Sequence, residues 1–294
     1  MTEQSDKIAN DAQAKYWNTK AGDTWTQNQA VMDRFLSVVG RRLFEHAGIK
    51  SGERVLDIGC GTGATVLAAM DAVGPGGMVM GIDLSHAMLN LARDRAVTHR
   101  PENGSEAELR LEIADAQTES FPAGDFDLLY SRFGVMFFED PTAAFANLLA
   151  ALRPGGRLCF VCWRGPGENP WFSIPRNAAI KFLGEPEATP PRTPGPMAFA
   201  DTDYVKEILS GAGFQGITIS SETVDLIPKP DLGEAADHAL NIGPAQRTLA
   251  LHDPSPETVA AIRAEIESQL SPYYDTDEAK VPANLHFVHA RRPR

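Results

Sequence analysis

A strand, a glycine turn and a helix follow one another without a break between residues 54 and 73. Arg54-Val55-Leu56-Asp57-Ile58 is short and largely apolar, the pattern of a strand buried on both faces. Gly59, Gly61 and Gly63 come next at alternate positions. From Thr65 to Val73 the residues Val66, Leu67, Met70 and Val73 fall at helical spacing, and Gly74-Pro75 closes the segment. A strand that turns into a helix through glycines predicts an α/β fold with a parallel sheet. Glycine accepts positive φ and, lacking Cβ, lets a ligand lie against the backbone. In such sheets ligands lie beyond the carboxyl ends of the strands.

The turn implies a nucleotide-like ligand, and two kinds compete. Gly59, Gly61 and Ala64 satisfy the dinucleotide pattern G-x-G-x-x-G/A, with Asp83 spaced for a ribose. Asp57 argues the other way. A carboxylate at the loop mouth would repel a pyrophosphate at the helix N-terminus and would suit a ligand with an ammonium group and no phosphate. The stretch from Asp57 to Gly63 closely resembles the acid-x-G-x-G-x-G motif of class I S-adenosylmethionine-dependent methyltransferases. That resemblance implies that Asp57, Gly59, Cys60, Gly61 and Gly63 abut the methionine part of the cofactor.

Further stations of the same family follow in order. Gly77 to Asp83 reads as a second strand, and the resemblance implies that Asp83 holds the ribose diol. Ser85 caps the next helix, and Leu84 and Met88 stand where the family places apolar contacts to the adenine. His99 to Glu106 reads as a polar loop and Leu109 to Ala114 as a third strand. Asp115-Ala116 then matches the family's acid and small residue at the adenine edge. Phe126 to Tyr130 is a fourth strand whose end faces the transferred methyl in this fold, making Ser131 a cofactor candidate and Arg132 and Phe133 substrate candidates. Pro141 to Leu152 is a helix, and Arg153-Pro154-Gly155-Gly156 leads into a fifth strand ending at Trp163. Trp163 and Trp171 join the substrate candidates.

Outside residues 50–163 the resemblance is architectural. Residues 1–48 are expected to form an arm and a helix (Val31 to His46) over the pocket, with Tyr16 and Trp17 against the acceptor and Trp25 against the cofactor. Residues 49–163 form the cofactor core and 164–200 a proline-rich insertion with a short helix near Pro175 to Phe182. Residues 201–294 complete the sheet: a helix from Asp201 to Ala212, a strand from Gly216 to Ile227, and a last strand from Asn284 to Ala290. Between those strands, residues 228–282 read as a helical lid, with helices near Leu232 to Leu251 and Glu257 to Leu270. The resemblance implies a doubly wound seven-stranded sheet with its last strand antiparallel.

Composition narrows the partners. The 27 basic and 39 acidic residues leave a net charge of −12, which disfavours nucleic acid and anionic membranes. No run of 18 apolar residues predicts a membrane span, and the polar start MTEQSDKIAND has no signal-peptide core, so a cytoplasmic protein is expected. Cys159 and Cys162 lie three apart on a strand and so face opposite ways, which argues against a redox or metal pair. No metal-ligand cluster is expected. Methyl transfer needs a base only when the acceptor must lose a proton. Of the seven histidines, His238 and His252, in the lid, are the candidates for one. The expected activity is S-adenosylmethionine-dependent methylation of a small molecule on O, N or C, with a homodimer possible. The alternatives are a cofactor-binding sensor or partner subunit and a nicotinamide-dependent dehydrogenase.

Overall fold

The most apolar strands take the middle of one seven-stranded sheet. In the structure, a computed structural model that describes residues 10–100, 107–274 and 279–294, β1 (Arg54–Ile58) is buried almost throughout. It pairs in parallel with β2 (Met78–Asp83) on one side and β4 (Phe126–Arg132) on the other, with Leu56 opposite both Met80 and Leu129. β3 (Glu108–Ile113) alternates between exposed and partly buried positions and lies at one edge. β5 (Leu152–Trp163) extends the parallel set beside β4. β7 (Val281–Arg291) runs antiparallel to β5 and to the outer strand β6 (Gln215–Leu226). The order is β3-β2-β1-β4-β5-β7-β6. It reverses between β1 and β4, where a crevice opens at the carboxyl ends of the strands.

Helices cover both faces and gather over that crevice. The N-terminal arm is four short helices: α1 (Asp11–Trp17), α2 (Lys20–Gln27), α3 (Gln29–Phe35) and α4 (Ser37–Ala47). α5 (Ala64–Val73), α6 (His86–Thr98) and α7 (Pro141–Ala151) connect the parallel strands. α8 (Pro170–Leu183) follows β5, and α9 (Thr202–Gly211) leads into β6. α10 (Leu232–Asn241), α11 (Pro244–His252) and α12 (Pro256–Leu270) fill the connection from β6 to β7. The starts follow the sequence signals: the side chains of Ser85, Asp140, Asp201 and Asp231 each accept a hydrogen bond from a backbone N–H in the first turn.

Four expected segments differ. The helix read across Val31 to His46 breaks at Leu36, whose φ of −98° and ψ of 10° end one turn and start the next. The short helix of the proline-rich insertion has 14 residues, because Pro170 sits at its first position, where no N–H is needed. The helix read from Leu232 to Leu251 is split by Gly243 at φ 112°, followed by Pro244. Strand β7 starts three residues before Asn284. Part of the loop read at His99 to Glu106, the first nine residues and four residues of the expected lid lie outside the described residues. The three cysteines are buried free thiols. Among the described residues no helix is long and apolar enough to cross a membrane, and no cluster of three or more ligating side chains is placed for a metal.

Candidate active site

A cavity of about 300 Å³ lies beyond the ends of β1, β2 and β4. The glycine turn forms its floor, and the three glycines do different work there. A Cβ on Gly59 would fall 2.7 Å from Cα of Gly134, and one on Gly63 would fall 2.9 Å from Cβ of Ala92. These two let the turn close against the segment after β4 and against α6. Gly61 is the one that opens to a ligand, since its Cβ would meet only Sδ of Met88, at 3.9 Å. Cys60 also lines the cavity; burial pushes its thiol well above the usual range, so it acts as an apolar group.

Asp57 is not at the mouth. It is fully buried beneath the turn, where Oδ2 accepts from the Thr65 hydroxyl at 2.5 Å and Oδ1 has no partner among the described residues. Burial pushes its carboxyl up to about 7, against the stabilising hydroxyls of Thr65 and Tyr130. The expectation of a surface carboxylate is corrected because its side chain is drawn to the first turn of α5. Asp83 does reach the wall. Its Oδ2 accepts from Gly61 N and its Oδ1 from Ser85 N, each at 2.8 Å, while burial raises its pKa. Each oxygen keeps a second lone pair for a ligand hydroxyl.

The far end of this half is tied to the arm. Asp115 Oδ1 accepts from Gln117 N at 2.9 Å and from Asn10 Nδ2 at 2.8 Å. Asn10 Oδ1 in turn accepts from Glu139 N at 2.6 Å. Asn18 bridges the start of α6, donating to Leu84 O at 2.7 Å and accepting from His86 N at 2.9 Å. Leu84, Met88 and Ala116 are on the same wall. Sequence reasoning missed both asparagines. They sit in polar runs without periodicity; the left-handed backbone of Asn10, φ 53°, is tolerated by asparagine but not encoded by it alone.

The other half is aromatic. Phe133 stacks on Trp163 with centroids 4.5 Å apart and planes within 2°, and Phe172 meets Trp163 edge-on at 4.8 Å. Trp171 packs on Phe35 at 4.4 Å. Trp17 meets Phe137 edge-on at 5.4 Å and lies 6.3 Å from Trp25, and half-exposed Tyr16 stands at the rim. Met32, Leu36, Pro196, Ile242 and Gly243 also line this end, and among the described residues the connection from β6 to β7 reaches the cavity through the joint between α10 and α11. Phe133 holds a left-handed φ of 70°, strained for so bulky a residue.

Two groups of expected residues stay off the wall. Ser131 is fully buried, donating to Ile58 O at 2.7 Å and accepting from Gly134 N at 3.0 Å; it ties β4 to β1. His252 accepts or donates nothing toward the cavity, with Nδ1 2.9 Å from Thr248 O in its own helix. His238 is nearer: it lies behind Phe35 and Trp171, ring centroids 5.7 and 5.3 Å away. Both its nitrogens lack partners among the described residues, and burial pushes its pKa down to about 4. It is neutral at physiological pH and screened from the cavity by two rings. Among the described residues, Arg132, Asp33, Asp83 and Asp115 are the charged groups on the wall.

A family model described as "Methyltransferase domain" matches residues 55–156. The chain is 38% identical over 168 residues to aklanonic acid methyltransferase DauC of Streptomyces sp., covering 56% of this chain and 69% of that one. It is 35% identical over 195 residues to the ubiquinone/menaquinone biosynthesis C-methyltransferase UbiE of Pseudomonas putida, covering 64% and 75%. The solved structure of YcgJ from Bacillus subtilis shares the fold, with a TM-score of 0.53 at 16% identity over 87% of this chain and 98% of that one.

Proposed function

Because the chain belongs to the class I S-adenosylmethionine-dependent methyltransferases, we propose that it methylates a planar, largely apolar small molecule held at the aromatic end of the cavity. The observation that carries this reading is the division of one cavity into two halves. One half offers fixed carboxylates and backbone; the other offers stacked rings. The residues fit the cofactor. Asp83 has free lone pairs for a ribose, Asp115, Ala116, Leu84 and Met88 would hold the adenine, and Gly61 leaves room at the turn. The partnerless Oδ1 of Asp57 lies beneath the turn, where a ligand ammonium group would favour the ionised carboxylate that burial disfavours.

S-adenosylmethionine bound there would supply a methyl group carried on a sulfonium. The chain's part is to align the acceptor and exclude water, which can account for up to about 7–11 kcal/mol of the barrier. Phe133, Trp163, Phe172 and Trp171 would hold a flat acceptor in that orientation. No histidine lines the cavity among the described residues. An acceptor that arrives already nucleophilic, such as a carboxylate, an acidic phenol or an activated carbon, therefore suits the site. The names of the relatives are consistent with this: one acts on aklanonic acid, and the other is a C-methyltransferase.

The test is incubation of the protein and a cell extract with cofactor carrying a radiolabelled methyl group, followed by separation into organic-soluble, aqueous and macromolecular fractions. Label in a small-molecule fraction is expected. Label confined to macromolecules would overturn the acceptor class.

A further inference from the structure

Among the described side chains Arg132 is the single cation on the cavity wall, and it has no hydrogen-bond or ion-pair partner there. It ends β4, between the glycine turn and the aromatic residue Phe133. The two acids whose fields act on it are both engaged elsewhere. Asp33 is bound by Arg95 at 2.6 Å and by Gln29 at 2.5 Å, and Asp57 accepts from Thr65. The guanidinium packs against α4, where a Cβ on Gly40 would lie 3.5 Å from its Nη1. Burial depresses its pKa.

A second opening meets the main cavity at Arg132. It runs between α3, α4, α5 and α6, sharing Asp33 and Thr65 with the main wall and adding Arg41 and Arg95. Among the described side chains lining that opening, Arg41, Arg95 and Arg132 outnumber the one acid, Asp33, which Arg95 already holds. An unpaired cation in a largely enclosed place is costly unless something anionic completes it, and a planar guanidinium matches a carboxylate in two-point contact.

We infer that Arg132 is a carboxylate-binding residue of this site. The inference rests on the cofactor reading above, and two ligands could bring the acid. One is the α-carboxylate of the methionine half of the cofactor, which would lie beside the turn with its ammonium toward Asp57. The other is an acid on the acceptor, reaching back from the rings.

The experiment compares wild type with Arg132→Met and Arg132→Lys by calorimetry, using two pairs of probes. S-adenosylhomocysteine carries the amino-acid group and 5′-methylthioadenosine lacks it. Naphthalene-2-carboxylate and naphthalene-2-carboxamide, titrated into protein saturated with S-adenosylhomocysteine, differ in charge at the aromatic end. Loss of about 10- to 100-fold for S-adenosylhomocysteine in Arg132→Met, with 5′-methylthioadenosine unchanged, supports the cofactor as source. The same loss for the naphthoate alone supports the acceptor. Arg132→Lys should recover part of whichever is lost. Unchanged 5′-methylthioadenosine binding also shows that the variant is folded. If neither carboxylate probe weakens relative to its neutral partner, the inference is overturned. Failure of wild type to bind either nucleoside would instead overturn the cofactor reading, and this inference with it.

Discussion

The two halves of the cavity are built by opposite means. At the cofactor end, polar atoms are fixed by hydrogen bonds from the backbone at the strand ends: Gly61 and Ser85 amides hold Asp83, and the Gln117 amide holds Asp115. At the acceptor end, shape comes from rings contributed by α3, the residue after β4, β5 and α8, with few polar contacts. One end is set by directed bonds at the edge of the parallel sheet; the other is set by how helices and strands pack. The first should respond to mutation sharply and in affinity for the nucleoside. The second should respond in acceptor choice.

The largest effect is expected from Asp83→Ala. Losing hydrogen bonds to an ionised carboxylate costs about 1.5–3 kcal/mol each, so S-adenosylhomocysteine affinity should fall about 100-fold or more. Calorimetry giving less than a tenfold loss would mean that the ribose lies elsewhere. Asp57→Asn probes a charge that the fold resists. Its folded pKa of about 7 lies above the unfolded value, so the folded state holds the extra proton. That contribution is complete at low pH and is lost as pH rises from about 4 through 7. Between pH 5 and 8, wild type should lose about 2–3 kcal/mol relative to Asp57→Asn in urea unfolding, while the variant binds S-adenosylhomocysteine more weakly.

His238 has the reverse sign. Its folded pKa of about 4 lies below the unfolded one, so stability is lost as pH falls from the unfolded value toward 4. Relative to His238→Met, wild type should weaken by about 2 kcal/mol between pH 7.5 and 5. Parallel denaturation curves at both pH values check it; equal losses would show a partner for the ring in solution. The smallest change in stability belongs to Phe133→Gly. Loss of the stacked ring is partly offset by relief of a left-handed φ, so unfolding should shift by only about 1 kcal/mol. Nucleoside affinity should stay the same while the acceptor KM rises, and a change in both would erase the division between the ends.

The same division explains what could be read from the chain. Gly59 to Gly63, Asp83 and Asp115 are legible because each sits at a strand end, and strand ends in a parallel sheet share one edge. The seven-stranded sheet with its last strand antiparallel follows from the resemblance carried by the same stations. Ser131 was misread because the sequence shows a polar residue at a strand end but not the Ile58 carbonyl that claims its hydroxyl. Asp57 was placed at the mouth for lack of its Thr65 partner. Met32, Pro196 and Ile242 carry no local signal at all; they become neighbours only when the helices after β5 and β6 close over Trp163 and Trp171. Phe35 and Leu36 are buried in the core and also line the cavity.

Asn10 and Asn18 make the arm a clasp on the nucleoside end, through bonds to Asp115, Glu139, Leu84 and His86. A clasp of this kind gives the catalytic cycle a clock of its own. If the demethylated nucleoside leaves past the arm, these bonds must break for it to go, and turnover is then bounded by the opening of the arm. Trp17 and Trp25 ride on that arm and would report its movement by fluorescence. Stopped-flow release of S-adenosylhomocysteine should accelerate in Asn18→Ala, and if release is the slow step, the steady-state rate should rise with it.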